Sequence, residues 1–365
     1  MDPRVETHAE LIVDRCTDVS TGDMVVVMAP PVAADLERSI YELVGERGGN
    51  PISLDLPRRA MRGYVRAVDT DDVETPEHAL ALLEAADVVI RVMGGRNLAE
   101  LSDVDPESMQ AFGRIQQPLM DEMQEGDLEA VITQHPAPGK AQKAGMSTDG
   151  YADFVYGAIN KDWEAQEAFQ AQLVDVLDPA ADVRIVAGEE TDLTMSIEGN
   201  PAVNGVPGNN LPGGEVFTAP VPASVEGTVR FDKPVRQMGR EVEGAFLAFE
   251  GGEVVDHDAE ANADVLAGVL NADEGARRLG ELGIGMNRDI DRFTYNMLFD
   301  EKMGDTVHLA LGRSIEESVG PDNEPNRSGM HVDMIVDMSE DSYIEVDGEV
   351  IQRDGTFRFE DGFEG

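Results

Sequence analysis

The sequence predicts an α/β protein in two parts. Residues 1–185 are expected to form an N-terminal doubly wound parallel-sheet domain, and residues 186–365 a C-terminal α+β domain of largely antiparallel strands. Two observations carry this. In the first part, short unbroken apolar runs alternate with stretches of helical periodicity, the pattern of buried parallel strands joined by crossover helices. In the second, runs that alternate apolar with polar residues follow one another, punctuated by Gly and Pro, as antiparallel strands with one wetted face do.

Taken in order, MVVVMA (24–29) follows the turn residues Thr21-Gly22-Asp23 and predicts a buried strand. Pro30-Pro31 breaks it. Val32, Leu36, Ile40, Leu43 and Val44 then recur at helical spacing, and Gly48-Gly49 ends that helix. Residues 51–56 predict a second strand, 78–86 a helix and 87–95 a third strand. A helix is expected within 98–113 and a strand at 129–134. Gly94-Gly95 after a strand invites a phosphate-loop reading, but neither GxGxxG nor GxxxxGK[ST] is present there, so a plain turn is expected. Residues 151–178, with the lone Trp163, predict one long helix.

The texture then changes, and the boundary falls near 180–190. VRIVAG, LTMSIEG, GTVRF, GAFLAFEGG and EVVDHD alternate as antiparallel strands should. Residues 200–222 are dense in Gly, Pro and Asn and predict irregular backbone. A helix is expected over 259–282, strands around 306–312 and 331–337, and a last hairpin turning at Asp347-Gly348.

The chain carries 28 basic and 73 acidic residues, a net charge of −45, spread along its whole length. Binding to nucleic acid needs basic patches and is disfavoured. Only five of the basic residues are lysines (140, 143, 161, 233 and 302), so 28 − 5 = 23 are arginines. A folded, acidic, Lys-poor surface resembles that of proteins from salt-in halophiles, where salt screens self-repulsion. Cys16 is the single cysteine, which rules out an intrachain disulfide and fits a cytoplasmic compartment. It sits in LIVDRCTDV, where an apolar helix face is expected rather than a nucleophile. No apolar run approaches the ~18 residues of a membrane span, and no secretory leader is apparent.

The chemistry gathers between residues 281 and 333. Divalent metals in hydrolases take His nitrogen and Asp or Glu oxygen, and two metals need a bridging carboxylate. His331 and Asp333 stand two apart in HVDMIVD, so a strand would point both to one face. His308 lies in the apolar run TVHLALG. Glu281 precedes Gly-x-Gly, which permits close backbone approach. Glu301 lies in DEK, where a surface turn is the plain expectation, and Glu215 follows Gly213-Gly214 in the irregular stretch. With 73 acids, any one carboxylate belongs at the surface until others converge on it. His8, His78, His135 and His257 are expected to be ordinary core or surface residues.

The segments LPGGEVFTAP (211–220), EGTVRFDKP (226–234), ELGIGMN (281–287), DEKMGDTVHLALG (300–312) and HVDMIVD (331–337) together resemble the thermophilic metallopeptidase family of aminopeptidases T and S. The resemblance implies an N-terminal α/β domain and a C-terminal domain with a dinuclear centre. It places metal ligands at Glu215, Glu281, Glu301, His308, His331 and Asp333, with Glu281 as bridge and catalytic carboxylate. It implies two divalent ions (Zn, Co or Mn), short peptide substrates, hydrolysis of N-terminal residues and a homodimer. Two departures stand out. The Glu301–His308 segment is longer than in better-known members, and Ile315 stands where they carry a tyrosine. Lys302 reads first as a surface residue, with a cation beside the metals as the sharper alternative. Two rival functions remain: a ring-cleaving dioxygenase with one Fe(II) on a His/His/Asp triad, and a non-enzymatic protein with structural metal.

Overall fold

The computed structural model describes residues 2–54, 57–69, 74–237 and 239–365. The chain divides into two compact units, Met1–Lys161 with Pro207–Pro212, and Asp162–Val206 with Gly213–Gly365.

The first unit is built on a five-stranded parallel sheet. Met24–Met28 lies between Asn50–Ser53 and Val88–Met93, then come Glu129–Gln134 and the short Asn210–Leu211. Chain order reverses about Met24–Met28, as doubly wound sheets require. Val25, Val26, Val27, Val89 and Ile90 are fully buried, which explains the continuous apolar runs. The second strand is shorter than the expected 51–56, and positions 55 and 56 lie outside the described residues. The helix sought within 98–113 begins later, at Pro106–Glu125, where Asp105 caps it by accepting from the Ser108 amide. Cys16 ends a buried helical turn, Leu11–Cys16. Among the described residues no helix is long and apolar enough to cross a membrane.

The expected helix over 151–178 is two helices, Thr148–Ile159 and Trp163–Leu177. Asp162 separates them because its carboxylate accepts from the Ala165 amide and so starts a new helix.

The second unit holds two large antiparallel sheets and the two-stranded ribbon Val235–Gln237 with Arg240–Val242. The larger runs in the order Glu253–Asp258, Phe246–Glu250, Glu226–Arg230, Thr191–Ser196, Asp182–Ala187, Ser342–Val346, Glu349–Arg353, Thr356–Phe357. Its hairpin turns at Asp347 and Gly348, both with positive φ, as expected from the Asp-Gly pair. The smaller sheet runs Val203–Gly205, Glu215–Thr218, Leu279–Gly285, Thr306–Gly312, His331–Asp337. One hydrophobic core joins them, with Val183, Ile185, Leu247 and Phe249 from the larger sheet and Val216, Leu282, Leu309 and Met334 from the smaller.

Two expectations fail in the smaller sheet. The helix expected over 259–282 is only Ala263–Leu270; a 3-10 turn at Gly275–Arg277 follows, and Glu281 lies in a strand. Glu215, expected in irregular backbone, opens the Glu215–Thr218 strand.

Candidate metal centre

The smaller sheet has two chemically different faces. Residues paired across antiparallel strands share a face. Leu282, Ile284, Val307, Leu309, Leu311, Val332, Met334 and Val336 face the core and are at most 3% exposed. Pairing puts Glu281 opposite Ala310 and Ala310 opposite Asp333; it puts Gly283 opposite His308, Gly312 opposite His331 and Gly285 opposite Glu215. Glu215, Glu281, His308, His331 and Asp333 therefore share the other face, on four adjacent strands. Most of their cross-strand partners are glycine or alanine, and His308 also faces Ile335 on the strand of His331.

A bulge makes this possible. Register shifts between Leu279 and Glu281, so Gly280 has no partner of its own. Leu279 and Leu282 both face the core, and Glu281 is turned to the polar face. Gly283 has a second task. A Cβ there would stand 2.0 Å from His308 Nε2, so the imidazole occupies the space a side chain would need.

Glu281 sits at the middle. Its Oε1 is 3.3 Å from His308 Nε2 and its Oε2 is 3.3 Å from His331 Nε2. His308 Nε2 also lies 3.3 Å from Glu215 Oε2, and His331 Nε2 lies 3.4 Å from Asp333 Oδ1. Two groups result, each with ligand atoms within 4.8 Å of one another: Glu215, Glu281, His308 and Glu281, His331, Asp333. The expected same-face pairing of His331 and Asp333 is present. His331 Nδ1–H donates to the Arg313 carbonyl at 2.8 Å, which directs Nε2 toward the carboxylates as the ligating nitrogen.

Glu301 and Lys302 complete the cluster. Glu301 caps the short helix Met297–Asp300 and is half-buried, not on a surface turn. Lys302 is 1% exposed, against the expectation of a surface residue. Its ammonium pairs with Glu301 Oε1 and, at 3.1 Å, with Glu215 Oε1. Burial of Lys302 is tolerable only with such partners. Ile315 is half-buried beside a 3-10 turn and offers no hydroxyl.

Three supports were not foreseen. Gln170 donates to the Glu215 carbonyl at 2.8 Å and to Asn204 Oδ1 at 2.7 Å, tying the helix Trp163–Leu177 to the strand of Glu215. Gln166 donates to Gln170 Oε1 and to the Met286 carbonyl. Asp300 accepts from the Thr294 amide and hydroxyl and the Asn296 amide, fixing the loop ahead of Glu301. Paired glutamines at i and i+4 in an apolar helix were the available signal.

The electrostatics call for cations. Burial alone would raise the Glu281 carboxyl, yet its hydrogen bonds to His308 and His331 carry it well below the usual range. Burial alone would lower both imidazoles, yet the carboxylates push His308 up to about 9 and His331 to about 11. Burial pushes Glu301 up to about 7; Lys302 opposes this, while Glu215 and Asp333 add to it. Burial opposes the charge on Lys302, and Glu215 and Glu301 hold it protonated. Glu281 Oε2 is buried with no well-formed hydrogen bond, its neighbour His331 Nε2 standing at 3.3 Å. A donor set of imidazoles and carboxylates with an orphaned buried oxygen fits divalent metal.

Comparison with known proteins agrees with this chemistry. The family model described as "Thermophilic metalloprotease (M29)" matches residues 1–357. Aminopeptidase T of Thermus aquaticus is 30% identical, with 95% of this chain and 94% of that protein covered. Aminopeptidase 2 of Geobacillus stearothermophilus is 28% identical, with 98% of each covered. The solved structure of wild-type AmpT from Thermus thermophilus superposes with a TM-score of 0.83 at 25% identity, covering 98% of this chain and 99% of that one. A 2,5-dihydroxypyridine dioxygenase from Pseudomonas putida KT2440 shares the fold, with a TM-score of 0.58 at 13% identity and 98% and 97% coverage. The chain thus belongs to the thermophilic metalloprotease (M29) family and is a metal-dependent peptide hydrolase.

Proposed function

We propose that this protein is an aminopeptidase with a dinuclear centre. One divalent ion is assigned to Glu215, Glu281 and His308 and the other to Glu281, His331 and Asp333, with Glu301 beside them as a sixth ligand. The observation that supports this most directly is the split of the Glu281 carboxylate, one oxygen toward each imidazole. Relatives named aminopeptidases support removal of N-terminal residues.

When bound, two such ions lower the pKa of a shared water toward ~7 and polarise the scissile carbonyl. The residues supply the rest. Glu281 stays ionised, sets the separation of the two groups and would bridge the ions; by resemblance it is also the carboxylate that would take the proton of the attacking water. The Arg313 carbonyl holds the His331 ring so that Nε2 ligates. Glu301, whose Oε1 pairs with the Lys302 ammonium, would be held beside the ions as a ligand. The apolar face behind the sheet keeps the ligands from moving, so their geometry is set before substrate arrives.

The acidic, Lys-poor composition supports a cytoplasmic, high-salt setting, and family resemblance supports short peptide substrates and a homodimer. The test is hydrolysis of amino-acid anilides in molar KCl with metal content measured alongside. About two Zn, Co or Mn per chain, with activity abolished by chelation and by Glu281→Gln, is expected. One iron per chain, or activity indifferent to both treatments, would overturn the assignment.

A further inference from the structure

Lys302 is the one charged group of the cluster that the proposed mechanism leaves without a task. It is buried, and its ammonium pairs with Glu301 and Glu215. An ammonium so enclosed cannot reach out to polarise a carbonyl or hold a substrate carboxylate without leaving two buried carboxylates unpaired. Its placement is one-sided, because Glu215 belongs to the group with Glu281 and His308. It takes one oxygen of Glu215, and the other faces His308.

From this geometry we infer that Lys302 is a positioning residue that makes the two ion sites unequal. The inference rests on the two-ion reading. The Glu215, Glu281, His308 group offers two carboxylates, a charge of about −2, and the ammonium on Glu215, shared with Glu301, offsets part of it. The Glu281, His331, Asp333 group also offers two carboxylates, with Lys302 paired elsewhere. A divalent ion on the His308 side therefore meets less negative charge and a cation held on the same carboxylate. The Glu281, His331, Asp333 site loads first and holds its ion more tightly. Lys302 also keeps Glu215 and Glu301 in place before any ion binds, since both would otherwise repel each other.

The experiment is calorimetric titration of the metal-free full chain with Co²⁺ in molar KCl, with ion content per chain measured independently. The wild type is expected to show two steps separated by roughly tenfold or more in affinity, a conservative bound for charge repulsion at an effective dielectric of ~20. Lys302→Met should tighten the weaker step by about tenfold and bring the two together, and Lys302→Arg should keep them apart. His308→Gln and His331→Gln serve where Lys302→Met does not fold. His308→Gln should delete the weaker step and His331→Gln the tighter one. Equal steps in the wild type, an unchanged separation in folded Lys302→Met, or loss of the tighter step in His308→Gln would overturn the inference. Binding of a single ion by the wild type would overturn the two-ion reading itself and take the inference with it.

Discussion

Gly283 has no side chain because His308 stands where one would be. A Cβ at that position lies 2.0 Å from Nε2 and 2.1 Å from Cε1, well inside any permitted contact. Gly283→Ala should therefore displace the imidazole away from Glu215 and Glu281. The expected outcome is loss of one metal per chain and a roughly 10–100-fold fall in peptidase activity, with a stability cost of about 1–3 kcal/mol. Elemental analysis and anilide assays check it; full metal content with full activity would refute it. The histidines also make metal loading depend on pH. In the metal-free protein both imidazoles are raised above the ordinary ~6.5, His308 to about 9 and His331 to about 11, so both carry protons at neutral pH. A ligating imidazole is neutral, so an entering ion must displace those protons. Affinity should rise with pH up to about 9, more gently from there to about 11, and fall as pH is lowered, with about two protons released by the histidines per chain at pH 7. Calorimetry in buffers of different ionisation enthalpy measures the release, and a pH-independent affinity would contradict it.

At the scale of elements, the strand Leu279–Gly285 shows how far its sequence could be read. Leu279 and Leu282 are three apart and both buried, a spacing that imitates a helix and extends the real helix Ala263–Leu270. The cause is the bulge at Gly280, which lets two residues three apart face the same core. His308, His331 and Asp333 were legible because their strands alternate without interruption: Val307, Leu309 and Leu311 on one face, His308 and Ala310 on the other. Glu215 was placed among the ligands by resemblance, but its strand was not legible, because that strand is defined by pairing with Val203–Gly205 and Leu279–Gly285, distant in sequence. Lys302 was misplaced because burial depends on Glu215 and Glu301 arriving beside it. The bulge is testable. A Cβ on Gly280 would stand 2.3 Å from the Gly312 carbonyl oxygen, which is backbone and cannot swing away. Gly280→Val should cost about 3 kcal/mol and turn Glu281 from the other ligands, so denaturant midpoint and metal content should fall together. A variant that keeps both would show that the bulge does not set the direction of Glu281.

Over the whole molecule, the charge of −45 sets two electrostatic effects against each other. Exposed ion pairs such as Arg184–Asp192, Arg230–Glu190 and Arg240–Asp264 are weakened by salt. Each is worth only about 0–1 kcal/mol, so their loss is small. The 73 acids, against 28 bases, repel one another over longer distances. The Debye length shortens from ~30 Å at 0.01 M to ~3 Å at 1 M, which removes that repulsion while leaving contacts between buried groups almost intact. Repulsion is the larger sum, because it acts among many charges at once and the pairs act singly. The melting temperature should therefore rise as KCl increases from about 0.05 M to 1 M, most steeply at the low end where the screening length changes most. Replacing a block of exposed acids with neutral amides should flatten that dependence and raise stability at low salt. If the melting temperature is flat or falls over the same range, surface pairing outweighs repulsion and the acidic composition is not a salt adaptation.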